Sequence, residues 1–163
     1  MLPIANCSPP IGFQPDDVFV SAYTAAAITE GTVVQFDFIN ATTFGVNETN
    51  SSGVPTSGFG VVIASTLPTA VASVRLVGVM AETSVAGGIG KVQVRGLCNA
   101  KVTTTGSATA LKGGPLKVGA GVFIPTTVLG DCAAAMSLNN VAISQTALSS
   151  PVLLFGIATS FGA

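Results

Sequence analysis

The sequence predicts an all-β protein, a barrel or a sandwich, entered through an irregular N-terminal arm. Three observations carry this. Period-two alternation of apolar and polar residues recurs along the chain. Glycine and proline, 19 and 9 of the 163 residues, punctuate it at short intervals. Only one stretch has a composition that favours a helix, and it spans two turns at most.

The arm comprises residues 1–17, where Pro3, Pro9, Pro10 and Pro15 forbid a helix and disfavour central strands. A single β domain over 18–163 follows. In "VVQFDFIN", Val34, Phe36 and Phe38 are expected on one face and Gln35 and Asp37 on the other. The polar, turn-rich "NATTFGVNETNSSGVPTSG" reads as an exposed loop. "VASVRLVGVM" is a strand, Ala86–Gly90 is a hairpin connection, and "KVQVRGLCNAKV" is the clearest strand of the chain. Its apolar face is Val92, Val94, Gly96, Cys98, Ala100 and Val102. Its outer face is Lys91, Gln93, Arg95, Leu97, Asn99 and Lys101. Turns at Gly106, Gly113, Gly114 and Pro115 interrupt the next segment. "DCAAAMSLNN" is expected to form a short helix with Asp131 as its N-cap. "SPVLLFGIATSFG" is a closing strand. The segments "FGVVIAST", "VGVMAET" and "FGIATS" echo one another, each with a glycine where a strand needs close approach or a bulge.

Charged residues make up 8% of the chain, against roughly 25% in an ordinary soluble domain. A surface so poor in charge repels its own copies weakly, which argues for partners covering much of it. The net charge of −1 provides no field toward nucleic acid or an anionic membrane, and neither is expected as a partner. Residues 1–74 contain Asp16, Asp17, Glu30, Asp37 and Glu48 but no Lys or Arg. Every basic residue lies between Arg75 and Lys117. This asymmetry predicts a bipolar molecule whose acidic and basic ends meet between subunits. Contacts are therefore placed at Asp16, Asp17, Lys91, Arg95 and Lys101. Three cysteines without Cys-x-x-Cys spacing are no disulfide framework; they leave room for one bridge, and reduced thiols in a reducing compartment are the simpler expectation. The start "MLPIANCSPP" has neither a basic nor a long apolar region, so no signal peptide is expected. No uninterrupted apolar run suits a membrane-spanning helix.

The Gly-Lys pair at Gly90-Lys91 invites comparison with a phosphate-binding loop. Such a loop needs glycine at position 85 and a hydroxyl residue at position 92, and both positions hold valine. It must also open a helix that turns its N-terminus to the anion, and here a strand follows. The chain has no histidine, hence neither the commonest general base nor the commonest metal ligand. Glu82 and Lys91 are placed to pair across the hairpin, and Cys98 is expected to be a buried, inert thiol. No catalytic residue, metal site or cofactor is assigned, and no enzymatic activity is expected.

The run "VRLVGVMAETSVAGGIGKVQVRGLCNAKV" is similar to segments of tailed-bacteriophage capsid decoration (cement) proteins, and "VLLFGIATSFGA" resembles their closing strand. The likeness covers roughly residues 59–122 and the last dozen. It implies a small β-barrel or β-tulip-like domain. It also implies a homotrimer on the capsid surface, its arm laid on the major capsid protein, assembled in the host cytoplasm to stabilise the virion. The alternatives are another virion subunit (tail, fibre or minor head protein) and a secreted adhesin or carbohydrate-binding module.

Overall fold

The computed structural model describes residues 17–37, 60–64, 76–105, 109–126 and 132–160. Nine strands form within them: β1 (Val18–Thr24), β2 (Val33–Asp37), β3 (Gly60–Ile63), β4 (Val77–Met80), β5 (Gly88–Val102), β6 (Pro115–Val118), β7 (Phe123–Pro125), β8 (Cys132–Ser137) and β9 (Leu148–Ser160). Residues 1–16 of the arm, the 41–58 loop and Gly106 lie outside the described residues. So do Asp16, Phe38, Arg75 and Asp131.

The fold is organised by β5, fifteen residues long and the strand most evident from sequence. Its N-terminal half pairs with β1 and β4, and its C-terminal half with β9 and, at one position, β7. The strand order β1-β3-β2-β4-β5 returns on itself through the β1–β5 pairing. The order β5-β7-β6-β8-β9 does the same through β5–β9. Two closed five-stranded barrels thus share one strand. Each described strand has two neighbours, and β5 has four. All pairings are antiparallel except β1–β3 and β5–β7. The all-β barrel expected from the sequence is present, and it is doubled.

A bulge lets β5 serve both barrels. Val18 lies opposite Arg95 and Phe19 opposite Gln93, so Val94 has no counterpart on β1. An extra residue bends a strand and increases its twist. Two positions later Gly96 adopts φ 102°, and there the pairing with β9 begins.

The first barrel is filled by Ala22, Val34, Phe36, Val61, Met80 and Val92, which places Val34 and Phe36 on the inner face as expected. On the face of β2 and β4 opposite this core, the valines are also buried. Val33, Val77 and Val79 pack instead among Val102, Leu116, Val118, Phe123 and Leu154 of the second barrel. The two barrels are therefore joined along this wall as well as through β5. Gly78 makes the close approach anticipated from the repeated glycine pattern: a Cβ there would lie 2.5 Å from Val92 Cγ1 and 2.8 Å from the Gln93 carbonyl oxygen.

Two local expectations change. The residues read as a helix at 131–140 include β8, paired to β6 and β9. Ala133, Ala134 and Ala135 are completely buried, and small side chains on both faces let β8 fit between covered surfaces. Tertiary burial here outweighs alanine's helix propensity. The connection between β4 and β5 runs over residues 81–87, with Gly87 at φ 74° in a turn closed by the Gly88 N–H on the Val85 carbonyl. Gly88–Gly90 already belong to β5, so the Gly-Lys pair lies inside a strand.

Candidate interaction surfaces

The outer face of β5 was expected to carry its polar residues together, and the bulge divides them into three settings. Lys91 is exposed and holds its ammonium 4.3 Å from the centre of the Phe19 ring, a cation–π contact in place of the expected pairing with Glu82. Arg95 is exposed, opposite Val18. Lys101 is half-buried and donates from Nζ to the hydroxyls of Thr29 and Thr32. Its backbone amide donates to the Gly31 carbonyl, so main chain and side chain together hold the turn before β2.

Gln93, assigned from sequence to the outer face, is only 5% exposed. Its Nε2 donates to Asp17 Oδ1 at 3.0 Å and to the carbonyls of Arg95 and Leu97 at 3.2 and 2.8 Å. Asp17 Oδ1 also accepts the Leu97 amide at 3.0 Å. Asp17 and Gln93 thus fasten the bulge from both sides. Asp17, predicted as an intersubunit contact, is committed within its own chain. The alternation gave no sign of this, because a glutamine among charged residues looks solvated. Replacing Asp17 with alanine is expected to cost about 1 kcal/mol and to speed exchange of the Leu97 amide, which denaturation and hydrogen exchange would read.

Among the described residues, acidic and basic side chains do not lie at separate ends. β1, from the acid-only stretch, is the antiparallel neighbour of β5, which carries three of the six basic residues. Glu30, Glu82 and Lys91 line a cleft of about 340 Å³ together with Phe19, Gln93 and Cys98. Opposite charges thus share one cleft within a subunit, where the β1–β5 pairing closes the first barrel.

Cys98 is a free thiol, partly buried against the second core. Burial pushes it up to about 12, and the nearby Asp17 carboxylate adds to the effect. A thiolate is the reactive form. At pH 8, alkylation mapped to Cys98 is therefore expected to run two to three orders of magnitude (~10²–10³) slower in the native than in the unfolded chain. Equal rates would contradict that environment.

Among the described residues no group of His, Cys, Asp and Glu is arranged to hold a metal ion. No helix of the described residues is long and apolar enough to cross a membrane. The exterior is notable for its hydrocarbon: Val85 and Ile89 beside the β4–β5 turn are 72% and 74% exposed, and Leu111, Ile63 and Ile143 are also exposed. Sequence reasoning did not single out these residues. The apolar positions flanking a glycine-rich turn were the available signal.

Fold and surface define an all-β protein of two fused five-stranded barrels. No protein-family profile matches the chain, and no curated protein matches it. Among solved structures it is similar to the head fiber gp8.5 N base of bacteriophage phi29, with a TM-score of 0.48 and 11% identity over 85% of this chain and 93% of that one.

Proposed function

We propose that this protein is a structural virion subunit that decorates a tailed-phage head, binding the major capsid protein and itself as a homotrimer at the capsid surface. The observation that carries this reading is the exterior. Nine large apolar side chains of the described residues are exposed, on a chain with only six Lys and Arg in total. Scattered apolar residues are ordinary on a protein surface, but here few charges lie between them, and such surfaces are suited to contact. The sequence likeness of the 59–122 region supports the same class. The reading requires no catalysis, cofactor, metal, nucleic acid or membrane.

Purified protein should sediment as a trimer and co-sediment with heads assembled without it, raising their resistance to heat. A monomer that leaves head sedimentation unchanged would reject the reading. Binding only to tails would transfer it to another virion subunit. Arg95, exposed on β5, remains the best candidate for a bidentate contact with a partner carboxylate. Arg95→Glu is expected to weaken co-sedimentation about tenfold or more at low salt while leaving the thermal midpoint within a few degrees.

A further inference from the structure

A groove of about 310 Å³ runs along the seam between the barrels, lined by Thr29, Thr32, Ile63, Lys101, Val122 and Ala147 among others. Three features set it apart from a simple crease. The first is the state of Lys101. An ammonium has three N–H donors. Two go to neutral hydroxyls, and no carboxylate of the described residues forms an ion pair with it. A half-buried cation with neutral partners retains a preference for an anion, because a carboxylate adds a Coulomb attraction that a hydroxyl lacks.

The second feature is the hydrocarbon around it. Ile63 is 50% exposed, and Ala27 and Ala147 are exposed on the rim. A small hydrated anion would leave these walls in water, whereas an aliphatic stem would cover them. The third is the backbone of the rim. Ala147 has φ 48°, a left-handed conformation that residues with a Cβ seldom adopt. Its amide is fixed there by Thr103 Oγ1 at 2.9 Å. Backbone strain of this kind clusters where a surface clamps a ligand, and here it stands beside a cation that no carboxylate of the described residues matches.

We propose that this seam is a docking groove for a partner polypeptide that places an acidic side chain on Lys101 while small apolar neighbours cover Ile63 and Val122. The inference stands on Lys101 and its surroundings and holds independently of the virion reading.

The test is a titration of the isotope-labelled full chain, followed by NMR, with the capped peptide Ala-Glu-Ala, its Ala-Gln-Ala counterpart, and acetate. The glutamate peptide should shift Lys101 Hε, Thr29, Thr32, Gly121 and Ala147, and bind about tenfold or more tightly than either control. Lys101→Met should abolish that preference. Should Lys101→Met disturb the fold, Ile63→Asp, at an exposed position, tests the same point by placing a competing carboxylate in the groove, and it should also block the peptide. Equal binding of the glutamine peptide would overturn the role of charge. Equal binding of acetate would overturn the polypeptide occupant. Concentration-dependent shifts of the same residues without peptide would assign the groove to a second copy of this chain and overturn the proposal as stated.

Discussion

Truncating Phe123 to alanine is expected to cost about 3–5 kcal/mol and to open the second barrel before the first. Phe123 heads the fully buried side chains by volume. It stands on β7, three residues long, and it forms the single register pair that joins β7 to β5, opposite Val102. Its carbonyl accepts the Thr103 amide at 2.8 Å, which completes the seam. Removing the ring leaves a cavity among Leu116, Val118, Val152 and Leu154, whose backbones are fixed by their own ladders and cannot readily close in. Native-state hydrogen exchange should show protection lost first at Val118 and Thr103, with Val34 and Val92 of the first barrel following at higher free energy. A cost below about 1 kcal/mol, or uniform loss over both barrels, would contradict this account of the second core.

The second large effect is expected at Gly78. Alanine there brings a methyl group against Val92 Cγ1 and the Gln93 carbonyl. The valine side chain can rotate, but the carbonyl belongs to the β4–β5 ladder and cannot move without breaking it. Overpacking of this kind costs about 1–3 kcal/mol, and the backbone contact places Gly78→Ala at the upper end. Adding Val92→Ala should recover only part of the loss, since the Gln93 oxygen remains. Gly113→Ala provides the comparison. It meets nothing within 4 Å and is penalised only by its φ of 79°, which amounts to about 1 kcal/mol. Denaturation midpoints should rank the two in that order, and the reverse ranking would mean that the β4–β5 contact is softer than its distances imply.

The fold was legible where burial is one-sided. On β5, Val92, Ala100 and Val102 are inward and Lys91, Arg95 and Asn99 outward, as alternation requires. It became illegible where both faces are covered. Val33 and Val34 are adjacent, and both are fully buried, one in each core. Three successive alanines of β8 are buried in the same way, and without a polar face they imitate a helix. The shared strand could not be read either. Its signature is a bulge at Val94 and a left-handed Gly96, which local composition does not announce. The surroundings of the candidate contacts were the least legible, because they depend on pairing partners far apart in the chain. Asp17 reaches Gln93 and Leu97 across 76 and 80 residues, and Lys101 reaches Thr29 and Thr32 across 72 and 69. Linear charge order contains no trace of either.

The double closure also answers a hazard raised by the composition. Stretches such as "VVQF" and "PVLLFGI" are apolar, β-prone and free of charge, the makeup of segments that stack into fibrils once their backbones are unpaired. Proteins usually guard such strands with lysines, prolines or bulges along a sheet edge. Here every described strand already has a neighbour on each side, so no strand among the described residues is a free sheet edge along its whole length. Colloidal safety is thereby transferred from electrostatic repulsion to topology. It depends on the rings staying shut, and heat or mutation that opens one of them should produce aggregation at the same midpoint as unfolding, little affected by added salt.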